Sequence, residues 1–449
     1  MKKKSILFLL LAVLIINNVL IVNAAKQVTI QDHIDEFQRK TKCDSVSVAI
    51  VDDEGVKFYG DEEGLYQIGS MTKAFTGLAV QKLISEGKLN EDENISDLLP
   101  GFSAYYDSEP VEIKVKELLA QTSGYTNEEI DYPSASSDMS LSEWAESISG
   151  KELKAGPGEK YAYSNVNYNL LGVIIERTTG KSYEDYMYEE ILFPLGLYNT
   201  YVGGPDEGKI VSGSRLGYRK AFGYDIPVYE GRIPAGYFYS NAKDMARWIK
   251  IWLGTADIPY EYQELVDDVK KHLNEEGEYY SGWESFEEDE IGHSGGTPNY
   301  SSRMIFSKTE NRGVCVLTNM NVAASTDTLC NGLFLLSSGK DAGKIAIDVW
   351  TIFDIVFTSL SGVGILMMIS LLFIKKRCII LGIGITALIS VMTVCIVMPL
   401  IFGAGLNDIA FIWAPYSFAG GIAILTGNIP VSIIKYIITG KYENRKKAG

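Results

Sequence analysis

A chain of 449 residues with a net charge of −16 has room for more than one domain, at roughly 150 residues per domain. The charge divides unevenly: from Ile345 onward four acidic residues (Asp348, Asp354, Asp408, Glu443) stand against eight basic ones, a balance of +4, which leaves −20 on residues 1–344. So acidic a region argues against nucleic acid as a partner, since phosphates must be met by Lys and Arg, but it names no substrate, because surface carboxylates mostly serve solvation.

The chain opens on Lys2, Lys3 and Lys4, an apolar run from Ile6 to Ile16, and small residues at Val22-Asn23-Ala24. That layout predicts a signal peptide over residues 1–24; an uncleaved anchor is the alternative, because apolar residues resume through Val22. Either way residues 25–344 are delivered across a membrane. They begin with a helix over Gln31–Arg39. Alternating Val46, Val48 and Ile50 then run into Asp52-Asp53-Glu54-Gly55 and Val56–Tyr59, the pattern of a hairpin. A second such pattern, Arg303–Ser307 and Gly313–Thr318, closes the region. Between them the apolar spacing is helical, as at Phe75, Leu78, Ala79 and Ile84, and again at Leu170, Val173 and Ile174. Strands at both ends of a helical middle predict an α+β fold. Its sheet draws on both chain ends, the middle is an inserted helical lobe, and the cleft between them is the place for a site.

Residues 345–449 carry three uncharged stretches, Ile355–Ile374, Cys378–Phe402 and Ile409–Ile434, each near the roughly 20 residues that cross a bilayer. Lys375, Lys376 and Arg377 follow the first, and Lys435, Lys441, Arg445, Lys446 and Lys447 follow the third, whereas Gly403–Asp408 has no cation. The positive-inside bias makes the cationic turn and tail cytoplasmic. Three crossings then put the larger region on the extracytoplasmic side of the cell membrane, with membrane lipid as a partner. Cys378 and Cys395 fall in these stretches; Cys43, Cys315 and Cys330 have spacing that suits neither a zinc site nor a disulfide framework. A single bridge among them stays open.

Three short elements carry chemistry. Ser70-Met71-Thr72-Lys73 opens the first long helix, and residues three apart on a helix are neighbours. A lysine among apolar groups can shed its proton and help activate a serine, which is otherwise a weak nucleophile. Ser-x-x-Lys alone decides little, since Ser85, Ser240, Ser337 and Ser432 also begin one. Tyr163-Ser164-Asn165 follows Gly156-Pro157-Gly158 and precedes a helix over Tyr168–Gly180; a tyrosine beside a lysine can act as base, and an asparagine amide can hold both the lysine and a carbonyl. His293-Ser294-Gly295-Gly296 precedes the last hairpin, and a glycine-rich strand edge leaves N–H groups for an oxyanion.

In that order the elements resemble the serine β-lactamase and penicillin-recognising hydrolases, in particular the class C, D-alanyl-D-alanine carboxypeptidase and family VIII esterase branch. Leu118-Leu119-Ala120-Gln121-Thr122-Ser123-Gly124, Leu170-Leu171-Gly172, Pro194-Leu195-Gly196-Leu197, Pro234-Ala235-Gly236, Asp244-Met245-Ala246 and Tyr280-Ser281-Gly282-Trp283 extend the likeness over about residues 30–335. The resemblance implies a β-lactamase-like antiparallel sheet flanked by helices. It also implies an acyl-enzyme on Ser70, formed with Lys73 and Tyr163 as coupled base and hydrolysed through Tyr163, with no cofactor and no metal. The N–H groups of Ser70 and Gly296 would bind the oxyanion, Asn165 would orient Lys73 and substrate, and His293, Ser294 and Gly295 would line the substrate site. Two departures stand out: His293 occupies a place where the family commonly has lysine, and Asn299 a place where it often has glycine. A histidine is mostly neutral at pH 7, which shifts the expectation from penicillin and C-terminal D-alanine toward peptides, amides or esters lacking that carboxylate. Three helices after such a domain are similar to the prodrug-activating peptidases that remove an acyl-D-amino-acid cap. A non-hydrolysing acylated receptor or penicillin-binding sensor is the competing class, against which the tail after Ile434 is short for an output domain; a β-lactamase is the other alternative. The oligomeric state is left open.

Overall fold

The structure, a computed structural model, describes residues 28–126, 139–205, 208–276, 279–286 and 289–448. The signal peptide read over 1–24 lies outside the described residues. Helix α1, Ile30–Thr41, starts on a reciprocal cap in which Thr29 Oγ1 accepts from the Asp32 N–H and the Asp32 carboxylate accepts from the Thr29 N–H. The chain then forms β1 (Val46–Asp52) and β2 (Gly55–Tyr59). After the helical middle come β3 (Tyr279–Tyr280), β4 (Trp283–Ser285), β5 (Glu290–Thr297), β6 (Tyr300–Ser307) and β7 (Arg312–Thr318). These make one antiparallel seven-stranded sheet in the order β3-β4-β5-β6-β7-β1-β2. The seam between chain ends is β1 on β7, with Val48 opposite Val316 and Ile50 opposite Val314.

Both faces of β1 are buried. Period-2 alternation sends Val46, Val48 and Ile50, with Val314 and Val316, to one face, where Ile34 and Phe37 of α1 meet Leu329 and Leu333. Ala49, Val51, Cys315 and Leu317 take the other face and join the core of the helical lobe. That lobe includes α2 (Thr72–Ser85), α3 (Asn165–Thr179) and α4 (Ala242–Leu253), and a further helix, α5 (Ala323–Ser337), follows the sheet. Phe75 of α2 stacks on Trp248 at 4.2 Å, and Trp252 packs against Trp283 at 4.8 Å. Each fully buried aromatic of this kind is worth about 1.5–3 kcal/mol, so α2 is firmly seated on α4, and α4 on β4. Cys43, Cys315 and Cys330 are buried thiols with no bridge between them.

Three helices, α6 (Val349–Phe373), α7 (Arg377–Phe402) and α8 (Tyr416–Ala448), follow. All three contain stretches long and apolar enough to cross a membrane, and they turn large apolar side chains outward, among them Leu366, Phe373 and Leu400. Asn428 Nδ2 donates to the Gly364 carbonyl at 3.0 Å, tying α8 to α6. The third apolar helix starts later than the uncharged stretch from Ile409 suggests. Ile409–Trp413 forms its own wide turn, and Ala414 is extended (ψ 154°) before Pro415. A residue before proline is pushed out of the helical region, which severs this turn from α8 and leaves it at the end of the bundle that meets Arg215.

Candidate active site

Ser70 lies on a single 3-10 turn, Gly69–Met71, leading into α2. Gly69 has a φ of 51°, open to glycine without steric cost, and a Cβ there would come within 2.4 Å of the Gly296 nitrogen. The turn and β5 therefore meet backbone to backbone. Gly295 is as tightly held: a Cβ on it would reach 2.0 Å from the Ile68 carbonyl oxygen, and Ser302 Oγ donates to that same oxygen at 2.8 Å. Beside it Gly296 is open, with nothing within 4 Å of a built Cβ.

Lys73 is fully buried. Its Nζ donates to Ser70 Oγ at 2.9 Å, to Asn165 Oδ1 at 2.6 Å and to the Ala235 carbonyl at 2.6 Å. Three N–H bonds thus find three oxygens on three separate segments. The same nitrogen stands 4.9 Å from the centre of the Tyr163 ring.

The loop Leu118–Gly124 positions the second element. Gln121 adopts a φ of 59°, and its side-chain oxygen accepts from the Ser164 N–H at 3.0 Å while its carbonyl accepts from the Ala162 N–H at 2.8 Å. Ser164 then caps α3 by accepting from the Val166 N–H. Tyr163 and Asn165 flank a residue fixed on both sides.

His293 is buried, its ring 5.9 Å from that of Tyr163. Its Nδ1–H donates to the Ser294 carbonyl at 2.6 Å, so Nε2 accepts from the Tyr279 hydroxyl at 3.2 Å. Burial and then the nearby Lys73 charge push its pKa down to about 3, which makes it a neutral residue at pH 7. Ser294 turns to the opposite side of the strand. Its hydroxyl donates to Asp327 at 2.8 Å and accepts from Arg303 at 2.7 Å. Asn299 is buried, and its Nδ2 donates to the Tyr224 carbonyl at 2.9 Å.

A cavity of about 100 Å³ opens at Ser70, lined among others by Asn165, Asn169, Gly236, Gly296 and Trp413. Asn169 and Trp413 were not singled out from the sequence. Asn169 had a signal, for it follows Asn165 by one helical turn and so shares its face. Trp413 had none, since it comes from the segment between α7 and α8. No group of metal-ligating side chains occurs among the described residues.

A family model described as Beta-lactamase matches residues 30–333. Protein flp of Staphylococcus aureus (strain MRSA252) is 34% identical over 274 residues, 57% of this chain and 53% of that protein. The chain spans about half the length of the curated relatives it first matches. A putative D-alanyl-D-alanine carboxypeptidase of Escherichia coli (strain K12) is 37% identical over 148 residues, 30% of this chain and 33% of that one. Among solved structures, the octameric penicillin-binding protein homologue from Pyrococcus abyssi superposes with a TM-score of 0.61 at 25% identity, covering 73% of this chain and 80% of its own.

Proposed function

The chain belongs to the Beta-lactamase family, and from that premise we propose that it is a membrane-anchored serine hydrolase that works through an acyl-enzyme on Ser70. The observation that carries the reading is the convergence on one buried ammonium of Ser70 Oγ and Asn165 Oδ1, with Tyr163 against it. Ser70 Oγ attacks the substrate carbonyl and passes its proton to the Lys73–Tyr163 pair. The N–H groups of Ser70 and Gly296 receive the oxyanion. The base returns the proton to the leaving group and then draws one from water, which attacks the ester and frees Ser70.

The substrate class is peptides, amides or esters, D-amino-acid peptides among them, and a carboxylate beside the scissile bond is not required. Neutral His293 offers no cation, and the Ser294 hydroxyl is engaged by Asp327 and Arg303. The test is intact mass and turnover of the full chain in detergent against a panel of D-amino-acid peptides, esters and penicillins. A transient adduct on Ser70, absent in Ser70→Ala, is the expected result. Neither adduct nor turnover with any member of the panel would overturn the reading.

A further inference from the structure

Two buried neutral hydrogen-bond donors that the acyl-enzyme scheme does not use line the cavity at Ser70, beside the guanidinium of Arg232. Asn169 is fully buried, and its Oδ1 accepts from the Ala235 N–H at 3.1 Å. An N–H can only donate, so this bond fixes the amide orientation and leaves Nδ2 as the free end. That nitrogen is buried with no acceptor among the described residues. The indole N–H of Trp413 is in the same condition. Both residues line the one cavity. A buried donor left unpaired is destabilising, and two such donors beside a nucleophile mark a place for a ligand's oxygen.

Trp413 is held there by a built connection. Arg215, itself buried, donates from Nη1 to the Phe411 carbonyl and from Nη2 to the Ala410 carbonyl, each at 2.9 Å. Its guanidinium lies 4.9 Å from the ring centres of Tyr224 and of Tyr416. The Tyr224 hydroxyl donates to the Phe411 carbonyl at 3.1 Å, and the Tyr224 carbonyl is the group that Asn299 grips. A continuous chain of bonds therefore runs from the turn after β5 through Asn299, Tyr224 and Arg215 to the segment carrying Trp413.

We infer that Asn169 and Trp413 form an acyl-side subsite that binds a hydrogen-bond-accepting oxygen of the substrate, such as an amide carbonyl one residue from the scissile bond. Arg215, Tyr224 and Asn299 are positioning residues for its membrane-derived half. The substrate class deepens accordingly, from acyl compounds in general to N-acylamino-acyl compounds. The inference rests on the hydrolase reading of Ser70.

The test uses the full chain in detergent and two nitrophenyl esters of matched length: N-acetylglycyl, which carries the amide carbonyl, and pentanoyl, which has methylenes in its place. Wild type should prefer the acetylglycyl ester. Trp413→Phe keeps an aromatic wall and removes the N–H; Asn169→Asp keeps the oxygen that Ala235 needs and removes the donor. Each should lower the acetylglycyl-to-pentanoyl ratio of kcat/KM by about tenfold, the scale of one neutral hydrogen bond. Arg215→Gln should move the ratio the same way, which a purely structural role would not do, since loss of folded enzyme lowers both rates together. An unchanged ratio in Trp413→Phe and Asn169→Asp overturns the subsite and leaves the hydrolase standing. Hydrolysis of neither ester by wild type removes both.

Discussion

Lys73 presents three N–H bonds to three oxygens, an arrangement suited to a charged ammonium that steadies a phenolate nearby. On that basis Tyr163→Phe should slow turnover by roughly 10²–10⁴-fold, the range for losing a general acid–base group, while the ring keeps its packing against Tyr279. Stopped-flow mass detection separates the half-reactions: a long-lived adduct on Ser70 would mean that Lys73 suffices for acylation, and unchanged turnover would remove Tyr163 from the mechanism. His293 makes a different prediction. Its pKa falls from 6.5 to about 3 on folding, so below pH 6.5 the unfolded chain binds a proton that the folded chain refuses. The stability it contributes is complete above about 6.5 and is lost as pH drops toward 3. His293→Gln should therefore show a smaller fall in Tm between pH 7 and pH 4.5 than wild type, measured in detergent; an equal fall would show that this histidine is not the titrating group.

At the scale of elements, β5 does two jobs at adjacent glycines. Gly295 lets the strand lie against the Ile68 segment, and the 2.0 Å approach that an added Cβ would make cannot be relieved by rotating a side chain. Gly295→Ala should cost about 1–3 kcal/mol of stability by overpacking and should depress activity further, because the displaced segment leads directly into Ser70. Gly296→Ala meets nothing within 4 Å and should unfold within about 0.5 kcal/mol of wild type. Similar losses in both variants, by thermal or denaturant unfolding, would show that the contact with Ile68 does not matter. The loop at Gln121 is a further element whose role is positional: it holds Ser164 on the backbone, and the residues on either side face Lys73.

At the scale of the whole molecule, residues 30–337 and the three long apolar helices are joined by more than the chain. Asp354 of α6 is fully buried, accepting from the Arg219 N–H at 2.8 Å and from Ser417 Oγ at 2.7 Å. With the Arg215 contacts, this ties the hairpin Ser214–Gly217 and Lys220–Gly223 onto the bundle. Trp350 stacks on Phe402 at 5.2 Å, an aromatic pair of the kind that settles at a membrane–water boundary. The cationic turn at Lys375–Arg377 lies at the far end of α7, 26 residues long and so about 39 Å. With native Cys378 and Cys395 replaced by serine, a cysteine at Asn407 should react with an impermeant reagent in intact cells, and one at Lys376 should not. Equal labelling of the two would refute the proposed topology.

Much of this architecture was legible in the chain itself. Alternation at Val46, Val48 and Ile50, helical spacing around Phe75 and Leu170, and the long uncharged stretches each depend on residues close in sequence, because local periodicity decides which face a side chain takes. The candidate residues Ser70, Lys73, Tyr163, Asn165 and the His293–Gly296 run were readable for the same reason, as short motifs in a familiar order. What only the tertiary structure decided are properties that depend on distant neighbours. Ser294 turns to Asp327 and Arg303, Asn299 is buried under Tyr224, and His293 loses its proton to burial and to the charge of Lys73. Trp413 is the furthest case. It sits 343 positions from Ser70 in the sequence, inside what reads as a membrane crossing, and reaches the cavity because Pro415 interrupts the helix and Arg215 clamps the freed backbone. A pattern within one segment cannot encode that meeting, since it arises from the packing of one region against another.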